Sequence, residues 1–220
     1  MPQPDELAQP EELSTLSKVS TPSALRRLHR GELPSDTVLL ARYLIGKLLV
    51  HDVLDGRLSG RIVETEAYVS DDAASHAYRG LTTRNRSMFL ERGHAYVYRI
   101  YGAWDCVNVS SEPPGTGAGV LLRALEPVQG VTVMQARRGT TRVLDLARGP
   151  GRLALAMQID RREDGVDLCA GGPLWLGAGG AAAVVIGESV RIGITREAER
   201  RLRFYERANP FVSGPPRLRA

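Results

Sequence analysis

Residues 47–68 read KLLVHDVLDGRLSGRIVETEAY, a pattern that predicts a long β-hairpin. Residues 47–54 are rich in apolar and β-branched side chains, which favours a strand. Asp55-Gly56 is a common sequence for the tight turn of a hairpin. Residues 58–68 then predict the returning strand, so we expect the sheet to start as an antiparallel pair.

Shorter elements of both kinds surround this hairpin. Ser35 and Asp36 supply N-cap chemistry for a helix that runs through Tyr43, and Pro150 suits the start of another. Further strands are predicted over residues 94–101, 106–110, 120–125, 174–176, 183–186 and 190–194, and helices over 85–90, 130–138 and 151–159. Because the strands come as hairpins with helices between them, we expect an α+β fold with an antiparallel sheet wrapped by helices.

The composition indicates one compact domain. Of 220 residues, 43% are hydrophobic and 25% are charged, as in ordinary globular proteins. No run reaches the roughly 18 apolar residues that a membrane helix needs. Residues 1–20 carry acids and prolines but no apolar core, unlike a secretion signal. We therefore expect a cytoplasmic protein with a flexible N-terminal extension over residues 1–30 and a single domain over residues 31–220.

The spacing of cysteine and histidine argues against a metal centre. Cys106 and Cys169 stand far apart without a CxxC pair, and the four histidines show no HxxxH or HExxH spacing. The Gly149-Pro150-Gly151 segment lacks the glycine spacing of a dinucleotide or phosphate loop. We expect neither a metal nor a cofactor.

The basic residues are almost all arginines. The chain has 27 arginines against Lys18 and Lys47, and its formal net charge is +4. A GC-rich genome would produce this bias, and so would selection for phosphate recognition, since arginine binds phosphate through two parallel hydrogen bonds. Residues 120–162 and 191–220 each carry eight arginines against three acids. Two basic segments of this kind suit a polyanion-binding protein.

The returning strand of the hairpin carries two carboxylates. Strict alternation places Ile62, Glu64, Glu66 and Tyr68 on one face. Such a face is either an exposed, hydrated surface or a site in which a catalytic carboxylate lies near a stacking ring. The strand by itself leaves both interpretations open.

Aromatic and polar side chains follow within the next forty residues. Tyr96, Tyr98 and Tyr101 alternate with Arg99 and apolar residues, as in sites that stack nucleic-acid bases. A tyrosine-rich strand packed on the core is the alternative. His76, which stands alone, suits a structural hydrogen bond as well as a catalytic role.

The order of these motifs resembles a known family. The matching text is GRIVETEAY at 60–68, SH at 75–76, RNRSMF at 84–89, YVYRIYG at 96–102, CVNV at 106–109, VLLRALEP at 120–127, GPG at 149–151, RIGI at 191–194 and RFY at 203–205. In this order, over about residues 38–213, the chain resembles the alkyladenine (3-methyladenine) DNA glycosylases shared by mammals and bacteria. The resemblance implies a curved antiparallel sheet and metal-free excision of damaged purines from duplex DNA.

The resemblance also implies roles for individual residues. Glu66 would be the general base that activates the attacking water, which Arg123 and the backbone carbonyl of Ile194 would hold. Tyr68, His76 and Tyr98 would form the pocket that sandwiches the extruded base. Asn108 would exclude normal guanine from that pocket, and Tyr101 would be the wedge that enters the DNA stack.

Two rival functions stay open at this point. One is a non-catalytic module of the same fold that binds damaged DNA, and the other is an enzyme acting on RNA or small nucleotides. A strand-cleaving lyase needs an amine for a Schiff base, and neither lysine falls within the matching motifs. We therefore expect a monofunctional, monomeric enzyme whose partner is double-stranded DNA with damaged purines.

Overall fold

The computed structural model describes residues 25–180 and 184–218, which form a curved antiparallel sheet flanked by helices. The strands are β1 (Leu48–Val53), β2 (Gly56–Tyr68), β3 (Ala95–Ile100), β4 (Trp104–Ser110), β5 (Gly119–Gln129), β6 (Leu174–Gly177), β7 (Ile186–Ser189) and β8 (Arg203–Glu206). The α-helices in these residues are α1 (Thr37–Leu44), α2 (Val131–Arg138) and α3 (Pro150–Ala156). The predicted α+β class is confirmed.

The long strand β2 is the branching point of the sheet. Along the main path the strands are ordered β3-β4-β5-β2-β1-β6. On the edge of β2 opposite β5, β1 pairs with the first half of the strand, and β8 then pairs with Glu64–Glu66. Strand β7 pairs with β8 in turn. The second half of β2 is therefore covered on both edges.

Local sequence signals account for the predicted hairpin and the first helix. The strands β1 and β2 pair from Leu48 opposite Arg61 to Val53 opposite Gly56, around the Asp55-Gly56 turn. Gly56 has φ +109°, a conformation that glycine adopts at little steric cost. The side chain of Asp36 accepts a hydrogen bond of 2.7 Å from the Leu39 amide and so caps α1.

The alternation predicted for β2 is wrong at Ile62. The pairing with β5 shifts between Ile62 and Glu64, as it does at a β-bulge, which adds a residue and turns the following side chains to the other face. Ile62 and Ala67 consequently belong to one core cluster although they are five positions apart, an odd spacing that strict alternation would place on opposite faces. Ile62 therefore does not share a face with Glu64.

The strands near the C-terminus differ from the two that the sequence predicts there. The strand predicted over residues 190–194 is wrong, because Arg191 to Ile194 form a loop in which Gly193 has φ +80°. The strand predicted over 183–186 partly lies outside the described residues, and β7 covers Ile186–Ser189 instead. Strand β8 was not predicted at all, since its four residues RFYE carry no clear alternation.

Residues just before position 31 contact the domain. Leu28 is buried in the main core, and Arg27 forms an isolated bridge with Gly177. The folded part of the chain thus includes residues that the sequence assigns to the extension. The rest of the predicted extension, residues 1–24, lies outside the described residues.

None of the helices over residues 25–180 and 184–218 has the length and apolar character needed to cross a membrane.

Candidate active site

A cavity of about 370 Å³ opens beside β2, between the β3–β4 turn and the loop after β7. Its walls contain apolar side chains such as Ile100, Leu121 and Ile192, together with the start of α3 at Pro150. Seven of the eight predicted site residues line it, namely Tyr68, His76, Tyr98, Tyr101, Asn108, Arg123 and Ile194. Cavities of this size and mixed lining commonly bind small flat ligands.

The eighth residue, Glu66, is fully buried and contacts the lining directly. Its Oε1 accepts a 2.7 Å hydrogen bond from the Ile192 amide and lies 3.2 Å from Nη1 of Arg123. Its Oε2 accepts a 3.0 Å hydrogen bond from the Tyr68 hydroxyl. The interpretation of this strand face as a hydrated surface is therefore wrong, because Glu64 and Glu66 are both 0% exposed and Arg123 packs against them.

A second buried carboxylate, Glu64, lies between two arginines. Its Oε1 is 3.1 Å from Nε of Arg123 and 2.6 Å from Nε of Arg203, and its Oε2 accepts a 2.6 Å hydrogen bond from the Ser213 amide. Burial by itself would raise the pKa of Glu64, but the charges of Arg123 and Arg203 outweigh burial and lower it. Glu64 is therefore ionised at neutral pH.

Arg123 links the two carboxylates. Burial disfavours its charge, but the neighbouring Glu66 and Glu64 more than compensate and raise its pKa. The side chain is only 8% exposed, so its guanidinium has little freedom to turn away. Arg123 and Glu66 were predicted from the sequence, whereas Arg203 and Ser213 were not. Arg203 has the RFY motif as its only signal, and Ser213 lies in none of the matching motifs.

Tyr98 and His76 form another wall of the cavity, and Tyr96 stacks on Tyr98. Tyr96 and Tyr98 lie 5.3 Å apart between ring centroids with an interplanar angle of 28°, and His76 meets the edge of Tyr98 at 4.5 Å. Burial, and then the charge of Arg84, lower the pKa of His76, which keeps the imidazole neutral near pH 7. Its Nδ1 pairs with the Tyr96 hydroxyl at 3.0 Å, which makes the histidine both a structural and a lining residue.

Burial also raises the pKa of Tyr68, Tyr96 and Tyr98. The pKa of Tyr96 is about 12, raised mainly by desolvation, and those of Tyr68 and Tyr98 shift in the same direction for the same reason. Burial likewise raises the pKa of the Cys106 thiol to about 11. All four groups are neutral at physiological pH, so the charges closest to the cavity are those of Glu66 and Arg123.

Asn108 lies on β4 at the base of the cavity and is 5% exposed. Its Nδ2 donates a 3.0 Å hydrogen bond to the carbonyl of Tyr96 on the neighbouring strand. This bond fixes the orientation of the amide, with Oδ1 as the remaining polar atom.

Tyr101 lies at the tip of the β3–β4 turn, on the rim of the cavity. It is 91% exposed and has φ +49°, a left-handed conformation that is unfavourable for an aromatic residue. Gly102, with φ +70°, completes a turn closed by the 3.2 Å hydrogen bond from the Ala103 amide to the Ile100 carbonyl. Strained and exposed aromatic residues of this kind are concentrated at functional sites.

A buried ion pair lies behind Tyr68. Arg191 forms a double hydrogen bond with Asp72, and the Cζ of its guanidinium is 4.6 Å from the centroid of the Tyr68 ring. Arg191 lies in the RIGI motif, which carried no role for it, and Asp72 lies outside the matching motifs. Only their contact in three dimensions distinguishes them from surface charges.

Metal-binding geometry is not found at this site. Over residues 25–180 and 184–218, no group of three or more His, Cys, Asp or Glu side chains is placed to hold a metal ion. The carboxylates near the cavity are paired with arginines instead.

A cavity of nucleobase size with tyrosine walls and a buried carboxylate is typical of enzymes that act on an extruded base. Comparison with known families makes the class specific. A sequence profile described as "Methylpurine-DNA glycosylase (MPG)" matches residues 32–210. The chain belongs to this family of DNA glycosylases, which confirms the resemblance.

Individual relatives agree with the family profile. The chain is 62% identical over 189 residues to the "Putative 3-methyladenine DNA glycosylase" of Mesorhizobium japonicum, covering 86% of this chain and 91% of that one. It is 51% identical over 191 residues to the protein of the same name from Paraburkholderia phytofirmans, covering 87% and 90%. The corresponding protein of Methanoculleus marisnigri is 48% identical over 182 residues, with 81% and 94% covered.

Proposed function

We propose that this enzyme is a monofunctional DNA glycosylase that releases alkylated purines such as 3-methyladenine and 7-methylguanine from duplex DNA. The observation that supports this most is the pairing of Glu66 with Arg123 beside a cavity lined by Tyr68 and Tyr98. In the proposed reaction, Glu66 takes a proton from a water that Arg123 and the carbonyl of Ile194 hold. The water attacks the anomeric carbon, and the bond to the purine breaks.

One carboxylate is enough for this reaction. Purines methylated at N3 or N7 carry a positive charge, so they leave as neutral molecules without prior protonation. An ordinary glycosidase needs a second, protonated carboxyl for its leaving group. Glu64, the other carboxylate nearby, is ionised between Arg123 and Arg203 and is unsuited to that role.

The cavity offers binding energy to offset base flipping. Extruding a nucleotide costs a few kcal/mol, whereas stacking on an aromatic side chain contributes about 1–3 kcal/mol per base. Tyr68 and Tyr98 supply faces for the extruded base, and a cationic base gains further from cation–π contact. Asn108 at the cavity base would meet the exocyclic amine of an undamaged guanine.

Basic side chains beside the turn of Tyr101 suit the DNA backbone. Arg84, Arg99 and Arg161 line a shallow depression that includes the end of β3. Arginines that neutralise phosphates give affinity that falls with rising salt. The monomeric state and the cytoplasmic location stay predictions.

Free-base release tests this function directly. The enzyme is incubated with methylated duplex DNA and with single-lesion duplexes that carry hypoxanthine, ethenoadenine or 8-oxoguanine, and the released bases are identified. We expect release of 3-methyladenine and 7-methylguanine with no strand break before alkali, because Lys47 packs on the Tyr43 ring and does not line the cavity. A break before alkali would contradict the monofunctional mechanism, and the absence of free base would contradict the function.

Replacing the turn residue should weaken flipping. With Tyr101→Ala, the gap left by the extruded base is unfilled, so we expect the flipping equilibrium to fall by about tenfold, equivalent to about 1.4 kcal/mol of lost stacking. Fluorescence of 2-aminopurine placed beside the lesion measures this equilibrium. Tyr78→Ala is the control, since Tyr78 is also exposed but does not line the cavity. If both substitutions lower the flipping equilibrium equally, or if Tyr101→Ala leaves it unchanged, Tyr101 does not act as a wedge.

A further inference from the structure

We propose that Asp72 lets the cavity accept positively charged purines, by neutralising the buried Arg191 that lies behind Tyr68. The inference deepens the proposed function and rests on it, since it concerns which purines the same cavity prefers. It makes Asp72 a specificity-determining residue that does not touch the base.

The ion pair of Asp72 and Arg191 is closed off from solvent. Both side chains are 0% exposed. Nη1 of Arg191 donates to Oδ2 of Asp72, and Nη2 donates to Oδ1 at 3.0 Å. Nη1 also donates to the carbonyl of Ala67 at 3.0 Å. Asp72 in turn accepts a 2.9 Å hydrogen bond from the Ala74 amide. These bonds hold the guanidinium in one place.

The ring of Tyr68 separates this guanidinium from the cavity. Tyr68 lines the cavity, whereas Arg191 does not, and the Arg191 Cζ lies 4.6 Å from the ring centroid. A purine stacked on the free face of the ring would lie about 3.5–4 Å beyond it. The arginine charge would therefore be about 8 Å from the base, across a ring that admits no water.

Charge at this distance distinguishes substrates. An uncompensated arginine would repel a cationic purine at about 8 Å, whereas a neutral purine would feel no such repulsion. The other charges facing Tyr68 are Glu66, bonded to its hydroxyl, and Arg123, which is paired with Glu66 and Glu64. Asp72 is the carboxylate that pairs with Arg191 in the described structure, so it cancels the repulsion at its source.

The test compares two purines that differ in charge and hardly in shape. Duplexes carry either 7-methylguanine, which is cationic, or its neutral isostere 7-methyl-7-deazaguanine in the same sequence. Dissociation constants are measured in a Glu66→Gln background, in which neither base should be released. We expect Asp72→Asn to lower the preference for the cationic duplex about tenfold. The double variant Asp72→Asn/Arg191→Met should restore it to within about twofold.

The matched control is Asp167→Asn. Asp167 also pairs with an arginine, Arg30, and also accepts backbone hydrogen bonds, but neither residue lines the cavity. The preference of the Asp167→Asn variant for the cationic duplex should equal that of the parent Glu66→Gln enzyme. An unchanged preference in Asp72→Asn, or an equal loss in Asp167→Asn, would overturn the proposal.

A second variant covers the case in which Asp72→Asn fails to fold. Arg191→Met removes the positive charge, so the preference for the cationic duplex should be at least that of the parent whether or not Asp72 then takes up a proton, and a fall in the preference would overturn the proposal. Release of 7-methylguanine by the wild-type enzyme is measured separately. If the wild-type enzyme releases no 7-methylguanine, the proposed glycosylase function is wrong. The ratio of the dissociation constants for the two duplexes tests the role of Asp72 alone.

Discussion

The Glu66→Gln enzyme is expected to bind duplex DNA with 7-methylguanine as the wild type does, but to release the base about 10²–10⁴-fold more slowly. A positioned general base contributes this factor, and the lost negative charge next to the cationic sugar acts in the same direction. Glutamine has nearly the same shape: its Oε1 can still accept from the Ile192 amide, and its Nε2 can donate to the Tyr68 hydroxyl. Single-turnover release under enzyme excess and an electrophoretic binding assay measure the two quantities.

The control for this substitution is Glu126→Gln. Glu126 also pairs with an arginine, Arg61, at 2.5 Å, but neither residue lines the cavity. Its release rate should match that of the wild type. Undiminished release by Glu66→Gln would remove this residue from the mechanism. Binding of damaged DNA without any release by the wild type would instead favour the non-catalytic module.

Substituting Glu64 should have the largest effect on stability. Glu64→Gln leaves Arg123 and Arg203 buried without the carboxylate they share, and breaking a buried pair in this way costs about 3–5 kcal/mol. Glu188→Gln is the control, because Glu188 pairs with Arg42 at the surface, where both side chains are about 40% exposed. A surface pair contributes at most about 1 kcal/mol. Urea unfolding at pH 7 measures both changes.

The loss of unfolding free energy caused by Glu64→Gln should depend on pH. The pKa of Glu64 is lower in the folded protein than its usual value of 4.5. Its stabilisation is therefore complete above pH 4.5 and is lost as pH falls through the folded pKa. We expect the difference in unfolding free energy between wild type and Glu64→Gln to narrow below pH 4.5. A difference that widens there, or that is no larger than for Glu188→Gln at pH 7, would contradict this account.

Local signals in the sequence predicted much of the fold. The Asp55-Gly56 turn, the cap at Asp36 and the helix start at Pro150 all depend on residues next to one another, and the structure contains each of them. The order of motifs also identified the family. These features are local because turns and caps are decided by a few neighbouring side chains and backbone groups.

Periodicity failed where the tertiary structure changes the local pattern. The bulge near Ile62 reverses the face of the strand, and β8 is a strand because it pairs with β2. Neither feature is visible in the alternation of apolar and polar residues, because pairing is decided by a partner strand far along the chain.

The eight predicted site residues came from the family resemblance, whereas the burial of the carboxylates was not predicted. Glu64 contacts Arg203, which lies 139 positions further along the chain. Glu66 accepts a hydrogen bond from the Ile192 amide, which lies 126 positions further along. A carboxylate on a strand is a hydrated surface group or a buried anion according to what covers it and which cations meet it. The sequence thus determined which side chains are present and how their strands begin and turn, whereas only the folded chain decided their solvation and their charged partners, since these contacts join segments that no local pattern relates.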